Sequence, residues 1–258
     1  MILTPLLASA LCLATVPDRF QPWDDDPWFP KDESQASDTP SGPEWEGSLT
    51  LGSSLSTGNT DVVTVSAGVA ATRTEGPGKW TFGLSSVYVK DQDAVTQRRN
   101  ESDAKYDHEL DETMYVYGSL GAMTDAQADL DLRLDVSVGG GYKVWTEGPW
   151  TLDTELGLAH LSEEFDSSAS NNYLALRGAY GLKWHSEGDA LLIEQAGSLN
   201  PSLESGGDGF YRLDTSLKMN VSSNLFTKLQ WVYDLTANPA AGKEKDDHLF
   251  LVTVGWSF

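Results

Sequence analysis

Residue types able to do chemistry are few in this chain. His160-Leu161-Ser162, followed by Glu163 and Glu164, places a histidine two residues from a serine, the composition of a nucleophile with a general base for acyl or ester hydrolysis. A His-x-Ser pair arises often by accident, and it acts only if folding gives it hydrogen-bond geometry. His108, His185 and His248 fall near turns or segment ends and read as solvated or interfacial. Carboxylates gather at Asp91 with Asp93, at Glu163-Glu164 with Asp166, and at Asp246-Asp247, offering oxygen ligands to Ca²⁺. None has the spacing and central glycine of an EF-hand, so solvated loop charge is the simpler reading. Gly139-Gly140-Gly141 lacks the following Lys-Ser/Thr and helix of a phosphate cradle; glycines there instead relieve crowding in a strand or bend it. No catalytic, cofactor-binding or metal-binding residue is therefore assigned, and no cofactor is expected.

A different set of charges recurs with period two. Arg99, Glu101, Asp103, Lys105 and Asp107 share one face of a segment, as do Asp131, Arg133 and Asp135, Asp153 and Glu155, and Arg212 and Asp214, with Arg177, Glu194, Lys218, Lys228 and Asp234 in like positions. The opposite faces are apolar: Trp45, Leu49, Leu51, Leu55; Val63, Val65, Val69; Trp80, Phe82, Leu84, Tyr88; Leu130, Leu132, Leu134, Val136, Val138; Trp150, Leu152, Leu156, Leu158. Later segments repeat this from Leu174, Leu176, Tyr180, Leu182 and Trp184 to Phe250, Val252, Val254, Trp256 and Phe258. Strict alternation is the signature of a strand with two unlike faces. A small soluble barrel would have to bury one face, and burying that many charges costs several kcal/mol each unless they are paired. A wide barrel in a membrane, apolar outside and wet or ion-paired inside, has no such difficulty.

The elements that position these residues follow. From Trp45 onward about twelve ten-residue segments succeed one another without helical period, the even number a closed barrel needs. The segments near 99–110 and 114–124 alternate poorly. Short connections at 75–78, 111–113, 147–149, 186–189 and 222–224 alternate with longer polar ones around 90–99, 124–129, 162–171, 202–209 and 237–247, with Gly58-Asn-Thr-Asp61 as the one tight turn on the long-loop side. Barrels of the bacterial outer membrane have short periplasmic turns and longer outer loops, which places both termini in the periplasm. Trp45, Trp80, Trp145, Trp150, Trp184 and Trp256 all fall at the short-turn ends, and Tyr88, Tyr211, Tyr233 and Phe250 toward the other rim, the pattern of interfacial aromatic girdles. The fold class expected is all-β: a transmembrane antiparallel up-and-down β-barrel of about twelve strands behind a disordered N-terminal tail.

Composition agrees with this frame. The chain has 258 residues, Lys+Arg 17 against Asp+Glu 39 and a formal charge of -22, which repels phosphates and argues against nucleic acid as a partner. No run reaches the roughly 18 apolar residues of a membrane helix, and the mean hydropathy of -0.33 misleads for a barrel because only alternate residues meet lipid. Residues 1–14 have the apolar core and small residues of a secretory signal, without a basic residue ahead of it, and Cys12, the single cysteine, would leave with it. Leu11 before Cys12 disfavours a lipid anchor. Residues 15–44 are acidic and proline-rich, with Asp24-Asp25-Asp26 and five prolines between 22 and 43, and read as a disordered periplasmic segment. Residues 45–258 form the barrel.

Three stretches resemble the YdiY-like salt-induced outer-membrane protein family, a family of undefined activity. They are Trp45-Glu-Gly-Ser-Leu-Thr-Leu-Gly52 running into Thr57-Gly-Asn-Thr-Asp61, Asp129-Leu-Asp-Leu-Arg133 followed by Gly139-Gly-Gly-Tyr142, and the closing Val254-Gly-Trp-Ser-Phe258. The resemblance covers roughly residues 45–258 and implies an integral outer-membrane barrel with no catalytic residue. A terminal Phe258 resembles the signal by which the barrel assembly machinery recognises such proteins. The function expected is a structural or passive porin-like role, with outer-membrane lipid as surroundings and small solutes or ions as candidate passengers. Arg133, Arg177, Arg212, Lys228, Asp135, Glu155 and Asp214 would line any pathway. The alternatives are an envelope-lipid hydrolase using His160 and Ser162, a pair similar to the His-x-Ser of lipid A deacylases, and a soluble secreted β-barrel that binds a ligand.

Overall fold

The computed structural model describes residues 44–56, 62–91, 94–204 and 207–258. The expected signal, the acidic segment up to residue 43 and the turn Gly58-Asn-Thr-Asp61 lie outside them. Twelve strands follow in order: β1 Glu44–Ser56, β2 Val62–Glu75, β3 Gly78–Asp91, β4 Ala94–Glu109, β5 Met114–Asp125, β6 Leu130–Trp145, β7 Trp150–Phe165, β8 Asn171–His185, β9 Leu191–Pro201, β10 Gly209–Asn220, β11 Leu225–Thr236 and β12 Asp246–Ser257. Each pairs antiparallel with its sequence neighbours, and β1 pairs with β12, so the sheet closes on itself as an up-and-down barrel. No helix among the described residues is long and apolar enough to cross a membrane.

Closure rests on a short seam. Ser48 to Leu51 of β1 pair with Val254 to Ser257 of β12, where β1 and β2 run together over thirteen pairs from Glu44 to Ser56. The seam is completed by reciprocal backbone bonds, Gly47 N–H to Phe258 O and Phe258 N–H to Gly47 O, both 2.9 Å. The Phe258 ring lies against Gly47: a Cβ on that glycine would sit 2.5 Å from Phe258 Cζ. The glycine makes the notch, and the terminal ring fills it.

The outward face is apolar except for a polar patch on β3, β4 and β5 at Ser86, Asn100 and Thr124. Leu51, Leu84, Val138, Leu156, Phe250 and Val252 are each more than half exposed although fully ordered into strands. Exposed aliphatic and aromatic side chains in every quarter of a closed wall have only one favourable surrounding, a hydrocarbon one. Aromatics cluster at both rims. At the end where β1 starts and β12 finishes, Trp80 packs on Phe82 and Tyr106, Trp150 on Trp184, and Arg73 covers Trp45. At the loop end Trp231 stacks on His248 and Phe250, with Tyr233 beside them. The chain spans a membrane.

Several local expectations are corrected. Leu130, expected outside, is buried on the inner side, and Asp131, expected inside, is exposed; a register shift between Leu130 and Leu132 turns the first residues of β6 over. The 90–99 stretch is not a long loop, because β3 runs to Asp91 and β4 starts at Ala94, with a bulge between Val89 and Lys90 absorbing the mismatch. Poor alternation in β4 has a physical cause too: its outward face carries Asn100, Ser102 and Ala104, and Ser86 Oγ donates to Asn100 Oδ1 at 2.9 Å while Asn100 Nδ2 donates to Thr124 Oγ1 at 3.1 Å. These satisfied polar groups floor a shallow depression edged by Leu49, Leu84 and Leu132.

Turn chemistry fixes the hairpins. Asp111 Oδ1 accepts from Thr113 N at 2.8 Å and Met114 N at 2.7 Å, and these backbone bonds hold its exposed carboxyl below the usual range. A depressed carboxyl stabilises the fold above its unfolded pKa and loses that contribution as pH falls through the folded value. Protection of the Met114 amide from hydrogen exchange is expected to persist near neutrality and to fall on acidification below the ordinary aspartate range, a loss that Asp111→Ala shows at every pH. At the seam, Gly47→Leu is expected to weaken folding by about 1–3 kcal/mol through overpacking against Phe258, read as a lower temperature for conversion of the folded to the unfolded gel band.

Candidate functional site in the barrel lumen

Strand alternation dictates what meets inside. Because residues i and i+2 share a face, the outward apolar rows force Arg99, Glu101, Asp103, Lys105 and Asp107 of β4 to point inward, with Arg133 and Asp135 of β6, Asp153 and Glu155 of β7, Arg177 of β8, Arg212, Asp214 and Lys218 of β10, and Lys228 and Asp234 of β11. The whole set expected to line the lumen, Arg133, Arg177, Arg212, Lys228, Asp135, Glu155 and Asp214, falls on this inner face.

In the loop-side half these groups reach across the barrel. Arg212 makes a bidentate pair with Glu101, Nη1 to Oε1 and Nη2 to Oε2 both at 2.9 Å. β4 and β10 lie six places apart in a ring of twelve, so this pair joins opposite walls. Arg99 donates from Nε to Glu101 at 2.6 Å, contacts Asp125 at 3.5 Å and pairs with Asp234 of β11 through a short contact. Arg133 donates to Glu163 at 2.7 Å and to Thr236 Oγ1 of β11 at 3.2 Å, its guanidinium 3.9 Å from the centre of the Phe210 ring. Leu161, Tyr173 and Ala175 pack beside them, all at 1% exposure or less, in one apolar cluster with Ala159 and Phe210. Arg99, Arg133 and Glu163 are at most 4% exposed, so the outer half of the lumen is filled. What space remains among Arg99, Asp125, Arg133, Asp234 and Phe210 is about 20 Å³, room for one water.

Above this layer the connection between β11 and β12 folds over the mouth. Ala240 is buried, Ala241 N–H donates to Ser168 Oγ at 3.0 Å, and Lys243 Nζ donates to Gln127 O at 2.7 Å. Asp129, at positive φ in the neighbouring loop, accepts from the hydroxyl and, at 3.0 Å, the N–H of Ser167, bonds that hold its carboxyl below the usual range.

Toward the end where β1 starts and β12 finishes, Lys105 Nζ bridges Asp107 at 2.5 Å and Glu155 at 2.6 Å and lies 5.2 Å from the Tyr115 and Tyr117 rings. Tyr115 donates to Glu155 at 3.0 Å, and Arg177 approaches the same carboxylate at 3.3 Å. Room for these rings comes from the glycine run: a Cβ on Gly141 would fall 2.1 Å from Tyr115, and one on Gly139 2.9 Å from Tyr117. Gly139–Gly141 thus relieves crowding, as the sequence suggested.

Other candidate chemistry does not assemble. His160 and Ser162 occupy successive outward positions of β7, and neither has a hydrogen-bond partner among the described residues. Glu163, between Ser162 and Glu164, turns inward to Arg133. The same alternation parts the carboxylate pairs, Glu163 from Glu164 and Asp247 from Asp246, across the wall. Among the described residues no group of three or more His, Cys, Asp or Glu is placed to hold a metal ion. Sequence reasoning missed Glu101, Asp234 and Glu163 as the anchors of the loop-side layer: the inward period of Glu101 and Asp234 was visible but not their convergence, and Glu163, expected in a loop at 162–171, lies inside β7, which runs to Phe165.

Glu101→Gln leaves two inward arginines short of a carboxylate, and removal of one partner from a buried pair typically costs about 3–5 kcal/mol. The Glu101→Gln barrel is expected to unfold at a clearly lower temperature than wild type, whereas Glu75→Gln, whose pair with Arg73 is exposed, shifts it by about 0–1 kcal/mol.

Comparison with known proteins adds a family. The translocator domain of the autotransporter NalP from Neisseria meningitidis is 14% identical, with a TM-score of 0.45 over 86% of this chain and 89% of that one. The NanC porin is 9% identical, TM-score 0.47, over 82% and 97%, and an outer-membrane channel from Pseudomonas putida F1 is 12% identical, TM-score 0.47, over 89% and 98%. Likeness at this level is of barrel architecture alone. No curated protein matches the chain. Residues 49–258 match the family described as protein of unknown function DUF481, and the chain belongs to that family.

Proposed function

We propose that this protein is a structural or passive barrel of the outer membrane, without catalytic activity, whose lumen is barred in its loop-side half by cross-lumen ion pairs. The observation that carries the reading is the Arg212–Glu101 pair joining opposite walls inside a sheet whose outer face is apolar but for the patch at Ser86, Asn100 and Thr124. A guanidinium that spans the lumen leaves no wide water column beside it, and its desolvation is offset by the carboxylates that converge on it. Alternation of short turns and long loops, with tryptophans at the short-turn rim, supports placing both termini in the periplasm. The seat of Phe258 on Gly47 supports a part for the terminal residue in closing the barrel after the assembly machinery has engaged it. Membership of the YdiY-like salt-induced branch rests on the three stretches that resemble it. The unbonded, outward His160 and Ser162 give an envelope-lipid hydrolase no geometric support.

Planar bilayers test the reading. The wild-type barrel is expected to give conductance steps that are small or below detection, and Glu101→Gln or Arg212→Ala to give larger, noisier ones as the strut is lost. Large steady steps from wild type would mean an open pore instead; a protein that stays folded and soluble without detergent would sink the membrane barrel itself.

A further inference from the structure

We infer that the lumen carries a binding site for a small oxyanion at the end where β1 starts and β12 finishes, built on Lys218 and Lys228. The register of β10 and β11 sets these two lysines directly opposite each other, both on the inner face and half-buried. Like charges directly opposite on a ladder repel, and a fold keeps such a pair where something negative sits between them. Among the described residues neither lysine has a carboxylate within ion-pair distance.

Other inward cations differ in this respect. Arg99, Lys105, Arg133, Arg177 and Arg212 are each matched to acids deeper in the lumen, and at the same rim Lys143 is paired with Glu109 at 2.5 Å and Lys183 with Glu194 at 3.1 Å. Lys79 has no ion pair among the described residues either, but it is exposed and its ladder partner is an acid, Asp107, not a second cation. Asp214 on the same inner face acts on Lys228 from beyond ion-pair distance and accepts from Gln230 Nε2 at 2.6 Å, while Glu194 holds Lys183 at 3.1 Å.

The site is also partly built. Lys218 Nζ stands 4.2 Å from the centre of the Phe226 ring, and that ring is locked over Gly255, where a Cβ would come within 2.2 Å of it. The ammonium is thereby held, not left to sweep the mouth. Thr253, the ladder partner of Lys228 on β12, and Ser216, next inward of Lys218 on β10, add hydroxyls to the same wall. Two compact ammonium donors flanked by hydroxyls suit phosphate, sulfate or a carboxylate, and suit no cation. This site goes beyond the barred lumen proposed above and does not need the barrel to conduct.

Equilibrium dialysis of the full, folded chain in detergent against radiolabelled orthophosphate in a chloride background tests it. Wild type is expected to bind one equivalent saturably, Lys218→Gln and Lys228→Gln roughly tenfold more weakly, and Lys183→Gln as wild type. Because each glutamine removes the repulsion, both variants are expected to fold and to unfold at a higher temperature than wild type in chloride alone; Lys218→Arg, which keeps the charge, retains binding. Absence of saturable binding by the folded wild type, or undiminished binding by the glutamine variants, overturns the site and leaves the conductance result to stand by itself.

Discussion

In hydrocarbon no water is present to satisfy a backbone N–H or C=O, so a sheet that enters a membrane must have no edge. Every other feature of this protein follows from that closure. Twelve strands pair neighbour to neighbour, and the one long-range pairing, β1 with β12, depends on four residue pairs and the reciprocal Gly47–Phe258 bonds. Closure then sets a circumference, and the circumference decides which inward side chains can touch. Terminal aromatic residue, notch glycine and seam are one device.

Once the wall is closed and its outer face committed to lipid, the charges excluded from that face have one place to go. The lumen receives them in layers: a loop-side layer in which Arg99, Arg133 and Arg212 are shared among Glu101, Asp125, Glu163 and Asp234, and a layer nearer the start of β1 centred on Glu155 with Lys105, Arg177 and Tyr115. Desolvating so many charges is tolerable because each arginine of the loop-side layer meets two or more acceptors, and planar guanidinium suits that sharing. Among the described residues the lumen also holds acids outside any ion pair, Asp103, Asp135 and Asp153; Lys218 and Lys228 differ in being like charges set directly opposite each other on one ladder.

The polar trio Ser86, Asn100 and Thr124 shows the same rule from outside. A strand can carry polar residues toward lipid if they satisfy one another, and these do. That is why β4 and β5 looked irregular by pattern yet pair without interruption over eleven residues, from Arg99 with Asp125 to Glu109 with Tyr115.

Alternation by itself determined the fold class, the strand count, the faces and the rims, because a period of two is a local property that each strand writes in its own residues. It placed Arg133, Arg177 and Arg212 inside for the same reason. It failed where one extra residue resets the phase, at Leu130–Leu132, and where a bulge shortens a loop, near Lys90, since a bulge is a relation between two strands. Only the tertiary structure decided that Arg212 meets Glu101, 111 residues away, that Lys218 faces Lys228, and that Glu163 turns inward to Arg133, away from the outward His160 and Ser162. Those facts depend on register and circumference, which are fixed when the ring closes and are written in no single segment of the chain.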